Sequence, residues 1–175
     1  VTEADSVLII GAGTIGLCVL QVCRSRGARV AVSDLSPGRL ELARELGATA
    51  ALSPAEGDMR EALADVLGAS GPSVVIEAVG RAATGLQALD LVAASGRVVM
   101  IALCTEEICI PGALMVRKEL DFLGSRLHGG TIPVAATLVE GGQARPERLV
   151  THHMSLEETE EAFRLMIDEP DTTLK

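Results

Sequence analysis

The run Val7-Leu8-Ile9-Ile10-Gly11-Ala12-Gly13-Thr14-Ile15-Gly16 constrains this chain more than any other segment. A short apolar stretch ends in G-x-G-x-x-G, and a helix-compatible stretch to about Arg26 follows. The glycine pattern alone is common; strand, glycines and helix in that order give it meaning. There Gly11 lets the chain turn sharply, Gly13 lets the backbone approach a pyrophosphate, and Gly16 lets the helix pack on the strand. The N–H groups at the helix start, with the helix dipole, then bind phosphate. Such local dipoles are what this chain needs for an anionic ligand, because 15 Lys+Arg stand against 24 Asp+Glu, a formal net charge of −9.

Asp34 lies 18 residues after Gly16, at the end of the second strand, RVAVS at 29–33. A carboxylate there can accept bonds from both hydroxyls of an adenosine ribose and repels a 2′-phosphate, which favours NAD over NADP. Arg39 stands within reach of the same ribose and pulls the other way, since an arginine nearby accommodates a 2′-phosphate. Asp34 weighs more because it sits at the strand end itself. A solvated helix-face cation is the competing reading of Arg39.

Beyond this unit the pattern alternates. A turn at 35–37 leads to a helix over about Pro37–Leu46, opened by Pro37 and stopped by Gly47. AAL at 50–52 is a weak third strand, followed by a helix near 58–67. VVIEA at 74–78 is a fourth strand, 82–94 a helix ended by Gly96, and RVVMIAL at 97–103 a fifth strand. A helix near 112–118 leads to the sixth, DFLGS at 121–125. Helices at about 131–140 and 155–167 close the chain, with short strand candidates at 148–150 and 172–175. Strands that are continuously apolar, separated by helices, mean a parallel sheet covered on both faces. No linker or internal repeat interrupts the rhythm, so 1–175 reads as one domain.

Composition removes several function classes. There is no Tyr and no Trp, and the aromatic side chains are Phe122 and Phe163. Stacking platforms for single-stranded nucleic acid are therefore missing, and the acidic balance is wrong for a duplex binder. No apolar run approaches the ~18–20 residues of a membrane span. The opening VTEADS carries no secretory pattern, and four cysteines in no CxxC spacing point to a reducing, cytoplasmic compartment. Cys18 and Cys23 are five apart on a helix, Cys104 and Cys109 flank an acidic loop, and His152-His153 point to opposite faces of a strand. None of these makes a three-ligand zinc site. Glu106-Glu107 reads as a solvated turn, EETEEAF as the acidic start of an amphipathic helix, and His128 as a loop residue or a proton relay.

From Val7 to Leu52 the chain resembles the cofactor-binding half of a medium-chain dehydrogenase/reductase, most of all the zinc-dependent polyol and threonine dehydrogenases. The likeness continues through VVIEAVGR, SGRVVMIALC, VRKELDFLGSR and LVTHHMSLEETEEAFRLM, essentially the whole chain. It implies an α/β Rossmann fold: a doubly wound, six-stranded parallel sheet in order 3-2-1-4-5-6, with NAD(H) at its carboxyl edge. By position, Asp34 and Arg39 match ribose contacts, and Val79, Gly80 and Arg81 match the loop beside the adenine and its ribose. Ile101 and Leu103 match backbone positions near the nicotinamide, Ser125 and Leu127 the pair that holds the carboxamide, and Lys175 a basic position near the pyrophosphate. Three departures stand out: Ala102 where glycine is common, Thr14 where proline is common, and His153 where many relatives have arginine.

The resemblance also implies a preceding catalytic domain that supplies zinc ligands and most of the substrate pocket. Since the chain starts just before the first strand, it is expected to be one domain of a longer NAD-dependent alcohol or polyol dehydrogenase, inactive alone. A non-catalytic dinucleotide sensor is the alternative. The short-chain dehydrogenases are excluded because they need a tyrosine. The apolar run Ile108-Cys109-Ile110 is expected at or near the sheet edge, where it would join two copies as a homodimer.

Overall fold

The computed structural model describes residues 1–127 and 129–175; the reading placed on His128 lies outside them. A continuously apolar parallel strand needs cover on both faces, and β1 (Ser6–Ile10) has it: all five residues are buried. It lies in a six-stranded parallel sheet with β2 (Arg29–Ser33), β3 (Ala50–Leu52), β4 (Val74–Glu77), β5 (Arg97–Met100) and β6 (Asp121–Gly124). The order is β3-β2-β1-β4-β5-β6, the Rossmann arrangement the sequence implied.

Helices α1 (Thr14–Ser25), α2 (Pro37–Glu45), α3 (Met59–Leu67), α4 (Ala82–Leu91), α5 (Gly112–Lys118), α6 (Ile132–Glu140) and α7 (Thr159–Asp168) connect and follow the strands. Side-chain alternation sorts the core into two layers. Val7, Ile9, Val30, Val32 and Ile76 pack with Leu17 and Leu20 of α1 and Leu40 of α2. Leu8, Ile10, Ala31, Val75 and Val98 pack with Leu63 of α3 and Leu89 of α4. Each fully buried aliphatic side chain contributes about 1.5–3 kcal/mol, so these layers hold the sheet ends rigid. Local signals set the helix starts: Ser36 accepts from Arg39 N–H ahead of Pro37, and Asp58 accepts from Arg60 N–H.

Several boundaries differ from the sequence expectation. The fourth helix ends at Leu91 rather than 94, because Val92 is extended and the Lys118 ammonium gathers the carbonyls of Leu89, Asp90 and Val92. The fifth strand ends at Met100, where both Ile101 and Ala102 turn their N–H groups onto the Glu77 carbonyl. The strand candidate at 148–150 is instead a 3-10 turn over Pro146–Leu149 that drives Leu149 into the core beside α1. The candidate at 172–175 is irregular: the Lys175 carbonyl takes the Thr151 N–H, and Thr151 Oγ1 takes the Leu174 N–H. The last helix begins as a 3-10 turn at Leu156–Glu158, fixed by the reciprocal Ser155/Glu158 capping box.

The run Ile108-Cys109-Ile110 lies in the β5–α5 connection, not on an edge strand. Ile110 packs on the second core layer, and Ile108 Cδ1 lies 3.1 Å from where a Cβ on Gly85 of α4 would sit. Cys109 alone of the three is exposed. The free edge beside β5 is β6.

Candidate functional site

The strand order reverses between β1 and β4, which opens a crevice at the carboxyl ends of the strands. Register delivers the loops there in sequence. Gly11 N–H donates to Ser33 O, Ala78 N–H to Ile10 O, Ile101 N–H to Glu77 O and Ser125 N–H to Met100 O. Each of these loops therefore starts where its neighbouring strand stops. Between them lies a cavity of about 530 Å³ lined by Gly11, Gly13, Asp34, Arg39, Val79 and Thr84 among others. That size suits a small-molecule site, which spans about 300–1,000 Å³.

The glycine turn is built by three different constraints. Gly11 adopts φ +104, a conformation side-chain-bearing residues rarely take, and a Cβ there would press on Val79 Cγ2. At Gly16 a Cβ would stand 1.9 Å from the Gly11 carbonyl oxygen, so only hydrogen permits this helix-to-turn contact. At Gly13 a Cβ would meet nothing within 4 Å. Gly13 is thus the glycine that its own fold does not require, and it borders the open cavity. Among the described residues no side chain caps the first turn of α1, which leaves the N–H groups of Thr14, Ile15 and Gly16 open at that end.

Asp34 enters from the end of β2. Its Oδ2 accepts the Ala12 N–H at 2.7 Å and its Oδ1 the Ser36 N–H at 2.9 Å. Both bonds use backbone donors, so the carboxylate is oriented without an ion pair and keeps lone pairs for a ligand hydroxyl. Arg39 shares the cavity, but Nη2 donates to the Pro170 carbonyl at 2.8 Å, and its buried Nε has no partner among the described residues. Pro170 and Asp171, which sequence reasoning left unassigned, therefore form part of the wall.

The remaining residues named from the sequence gather less evenly. Val79 lines the cavity half-exposed, and Gly80 adopts φ +87, where a Cβ would stand 3.2 Å from both Ala102 Cβ and the Leu103 carbonyl oxygen. Arg81 turns away: its Nε pairs with Glu106 at 2.6 Å, while Glu106 also accepts the Ala82 N–H. That backbone bond, with the arginine, holds the Glu106 carboxyl below its ordinary range, so Glu106 caps α4 instead of standing free in a solvated turn. Ile101 packs on the first core layer; Leu103 and Leu127 are exposed, the latter at φ +56. Thr14 Oγ1 donates to the Leu174 carbonyl, which sets the neighbouring Lys175 beside the start of α1.

Glu77 is the residue the sequence did not flag. It is fully buried at the end of β4, although the run VVIEA reads simply as a strand. Its Oε1 accepts from Val79 N–H, Gly80 N–H and Thr84 Oγ1, whereas Oε2 is buried without a partner among the described residues. The available signal was an acidic residue inside an otherwise apolar parallel strand.

Among the described residues no three His, Cys, Asp or Glu side chains converge as a metal site. Cys18 and Cys23 lie on α1, and burial raises both thiols, Cys23 to about 11, away from the thiolate a metal needs. His152 and His153 are exposed. No helix among the described residues is long and apolar enough to cross a membrane.

Residues 14–141 match the family model described as zinc-binding dehydrogenase. Human sorbitol dehydrogenase is 34% identical over 166 residues, which cover 93% of this chain and 46% of that protein. An Escherichia coli CFT073 alcohol dehydrogenase (rspB), solved with its cofactor NADH, superposes with a TM-score of 0.91 at 29% identity, covering 98% of this chain and 51% of that one. A zinc-binding dehydrogenase from Sinorhizobium meliloti 1021, bound to NADP, gives a TM-score of 0.84 at 34% identity, over 92% and 48% of the two chains. The chain spans about half the length of the relatives it matches.

Proposed function

The chain belongs to the zinc-binding dehydrogenase family, and from that premise we propose that it is the NAD(H)-binding domain of an alcohol or polyol dehydrogenase. The observation that carries this reading is the pairing of an unobstructed Gly13 with the Asp34 carboxylate across one cavity. The turn from Gly11 to Gly16, with the N–H groups of Thr14 and Ile15, holds the pyrophosphate, and Lys175 approaches it from the side. Asp34 takes the adenosine ribose, with Arg39, Val79 and Gly80 around it; Arg81 joins them only by leaving its Glu106 pair. Ile101, Leu103, Ser125 and Leu127 flank the nicotinamide. The bound nicotinamide supplies the hydride acceptor or donor; the chain supplies binding and orientation.

The described residues do not fit a zinc ion, so no metal-assisted step is assigned to them. In this reading zinc ligands and substrate pocket belong to another domain of a longer enzyme. Sorbitol dehydrogenase among the relatives supports a small alcohol or polyol as the substrate class. The acidic charge supports the absence of nucleic-acid partners, and four cysteines in no CxxC spacing favour a reducing, cytoplasmic compartment. A homodimer is proposed as well. Ile110 packs on the second core layer and Ile108 Cδ1 approaches Gly85 of α4, so the free β6 edge, with Leu123 46% exposed, offers the better surface.

The test is an assay of the purified chain with NAD, zinc and a panel of polyols, beside calorimetric titration of NADH. Saturable NADH binding without NADH production is expected. Zinc-dependent turnover by this chain would contradict the division of labour.

A further inference from the structure

We propose that Glu77 is a positioning residue for the dinucleotide: it fixes the Ala78–Gly80 loop as the partition of the cleft, and cofactor affinity depends on it. The inference rests on the dinucleotide-binding reading above.

Glu77 pairs in register with Ile10, the residue before the glycine turn. Its backbone carbonyl accepts the N–H groups of Ile101 and Ala102, which fixes the exit of β5. Its side chain binds the other loop. One oxygen collects Val79 N–H at 2.9 Å, Gly80 N–H at 2.8 Å and Thr84 Oγ1 at 2.7 Å. A single residue thus ties both loops that border the crevice.

The tied loop has consequences on each side. Toward the glycine turn, Val79 Cγ2 stands 2.8 Å from where a Cβ on Gly11 would be placed, so the loop closes off that side of the turn. Toward the other half, Gly80 faces the β5 exit closely enough that a Cβ on it would stand 3.2 Å from Ala102 Cβ and from the Leu103 carbonyl oxygen. The loop stands between the glycine turn assigned to the pyrophosphate and the β5 exit assigned to the nicotinamide. A shift of Val79 or Gly80 would change both halves of the cleft together.

The arrangement is also one that stability alone disfavours. A buried acid without an ion-pair partner is costly, and among the described residues Glu77 forms no salt bridge and its Oε2 has no hydrogen-bond partner. An apolar residue would fill this strand position more cheaply. Three donors converging on the other oxygen give the acid its use, which is holding a loop that helix and strand propensity do not hold.

Wild-type chain, Glu77→Gln and Glu77→Ala are compared by two measurements. NADH affinity is read by calorimetry below each variant's unfolding transition, and exchange protection of the Val79 and Gly80 amides by NMR. The glutamine oxygen can accept the same three bonds, so Glu77→Gln should bind NADH within about threefold of wild type. Glu77→Ala should lose protection at both amides and bind at least about tenfold more weakly, the effect of one or more lost bonds to a charged acceptor. Should Glu77→Ala fail to fold, Glu77→Asp takes its place, its carboxylate withdrawn by one methylene, with the same loss expected. Wild-type binding that is unchanged in the folded Ala or Asp variant overturns the role of Glu77 and leaves the dinucleotide reading intact. A wild-type chain that does not bind NADH overturns the dinucleotide reading, and this inference falls with it.

Discussion

The carboxylate of Asp34 accepts a 2.7 Å hydrogen bond from the backbone N–H of Ala12. It joins the end of β2 to the middle of the glycine turn after β1. Through it the acid proposed to select the ribose is tied to the turn proposed to receive the pyrophosphate. A second bond, from Ser36 N–H, fixes the other carboxylate oxygen.

Replacing Asp34 by Asn should therefore alter selectivity more than fold. The amide keeps an acceptor for one backbone N–H but loses the charge that repels a 2′-phosphate. NADH affinity should fall by about tenfold, the effect of a lost charge-assisted bond, while NADPH affinity holds or rises. Calorimetric titration of both cofactors reads the ratio; an unchanged ratio would mean that the carboxylate does not face the ribose.

Gly16 and Gly13 should separate folding from binding. Gly16→Ala places a methyl 1.9 Å from the Gly11 oxygen, so α1 must shift, at a cost of roughly 1–3 kcal/mol or more in urea unfolding. Gly13→Ala meets nothing within 4 Å and should unfold like wild type, while its methyl obstructs the approach of the pyrophosphate. Equal stability losses in the two variants, or full NADH binding by Gly13→Ala, would contradict these assignments.

Cys23 gives a pH dependence of defined sign. It is 3% exposed on the core face of α1, and burial raises its thiol from 9.0 to about 11. Below pH 9 the thiol is protonated in folded and unfolded chain alike, and its contribution is fully present. Between those values the unfolded chain ionises first, so stability falls as pH rises, by roughly 2–3 kcal/mol in total. Urea midpoints measured from pH 8 to pH 11 should drop less steeply for Cys23→Ala than for wild type. Parallel curves would show that the thiol is not the group responsible.

Self-association should respond to β6 and not to the Ile108–Ile110 run. Leu123→Lys puts a charge on the free edge strand, which blocks pairing with another copy. Sedimentation should show a dimer for wild type at micromolar concentration and a monomer for Leu123→Lys. Ile110→Lys should instead lower stability, because Ile110 packs on the core. A wild-type monomer at high concentration would exclude the dimer.

The sequence made the sheet legible because its strands are short apolar runs separated by glycine and helix signals, as VLII before GAGTIG shows. The geometry of Gly11 and Gly16 followed from the same pattern. What depended on how the loops and strands pack in space was hidden. Glu77 looked like one polar letter in a strand, since its three donors lie two, three and seven residues further on and its burial comes from packing on neighbouring strands and α4. Leu149-Val150 looked like a strand, but Pro146 and the pull of the α1 core make it a 3-10 turn. The wall formed by Pro170 and Asp171 arises from a bond across the fold, Arg39 to the Pro170 carbonyl, which no local spacing announces.

Titration of NADH and NADPH into the wild-type chain, with Gly13→Ala alongside, tests the central claim most directly. Saturable NADH binding, tighter than NADPH and lost in the folded Gly13→Ala variant, is the predicted result. No saturable NADH binding, or tighter binding of NADPH, would contradict it.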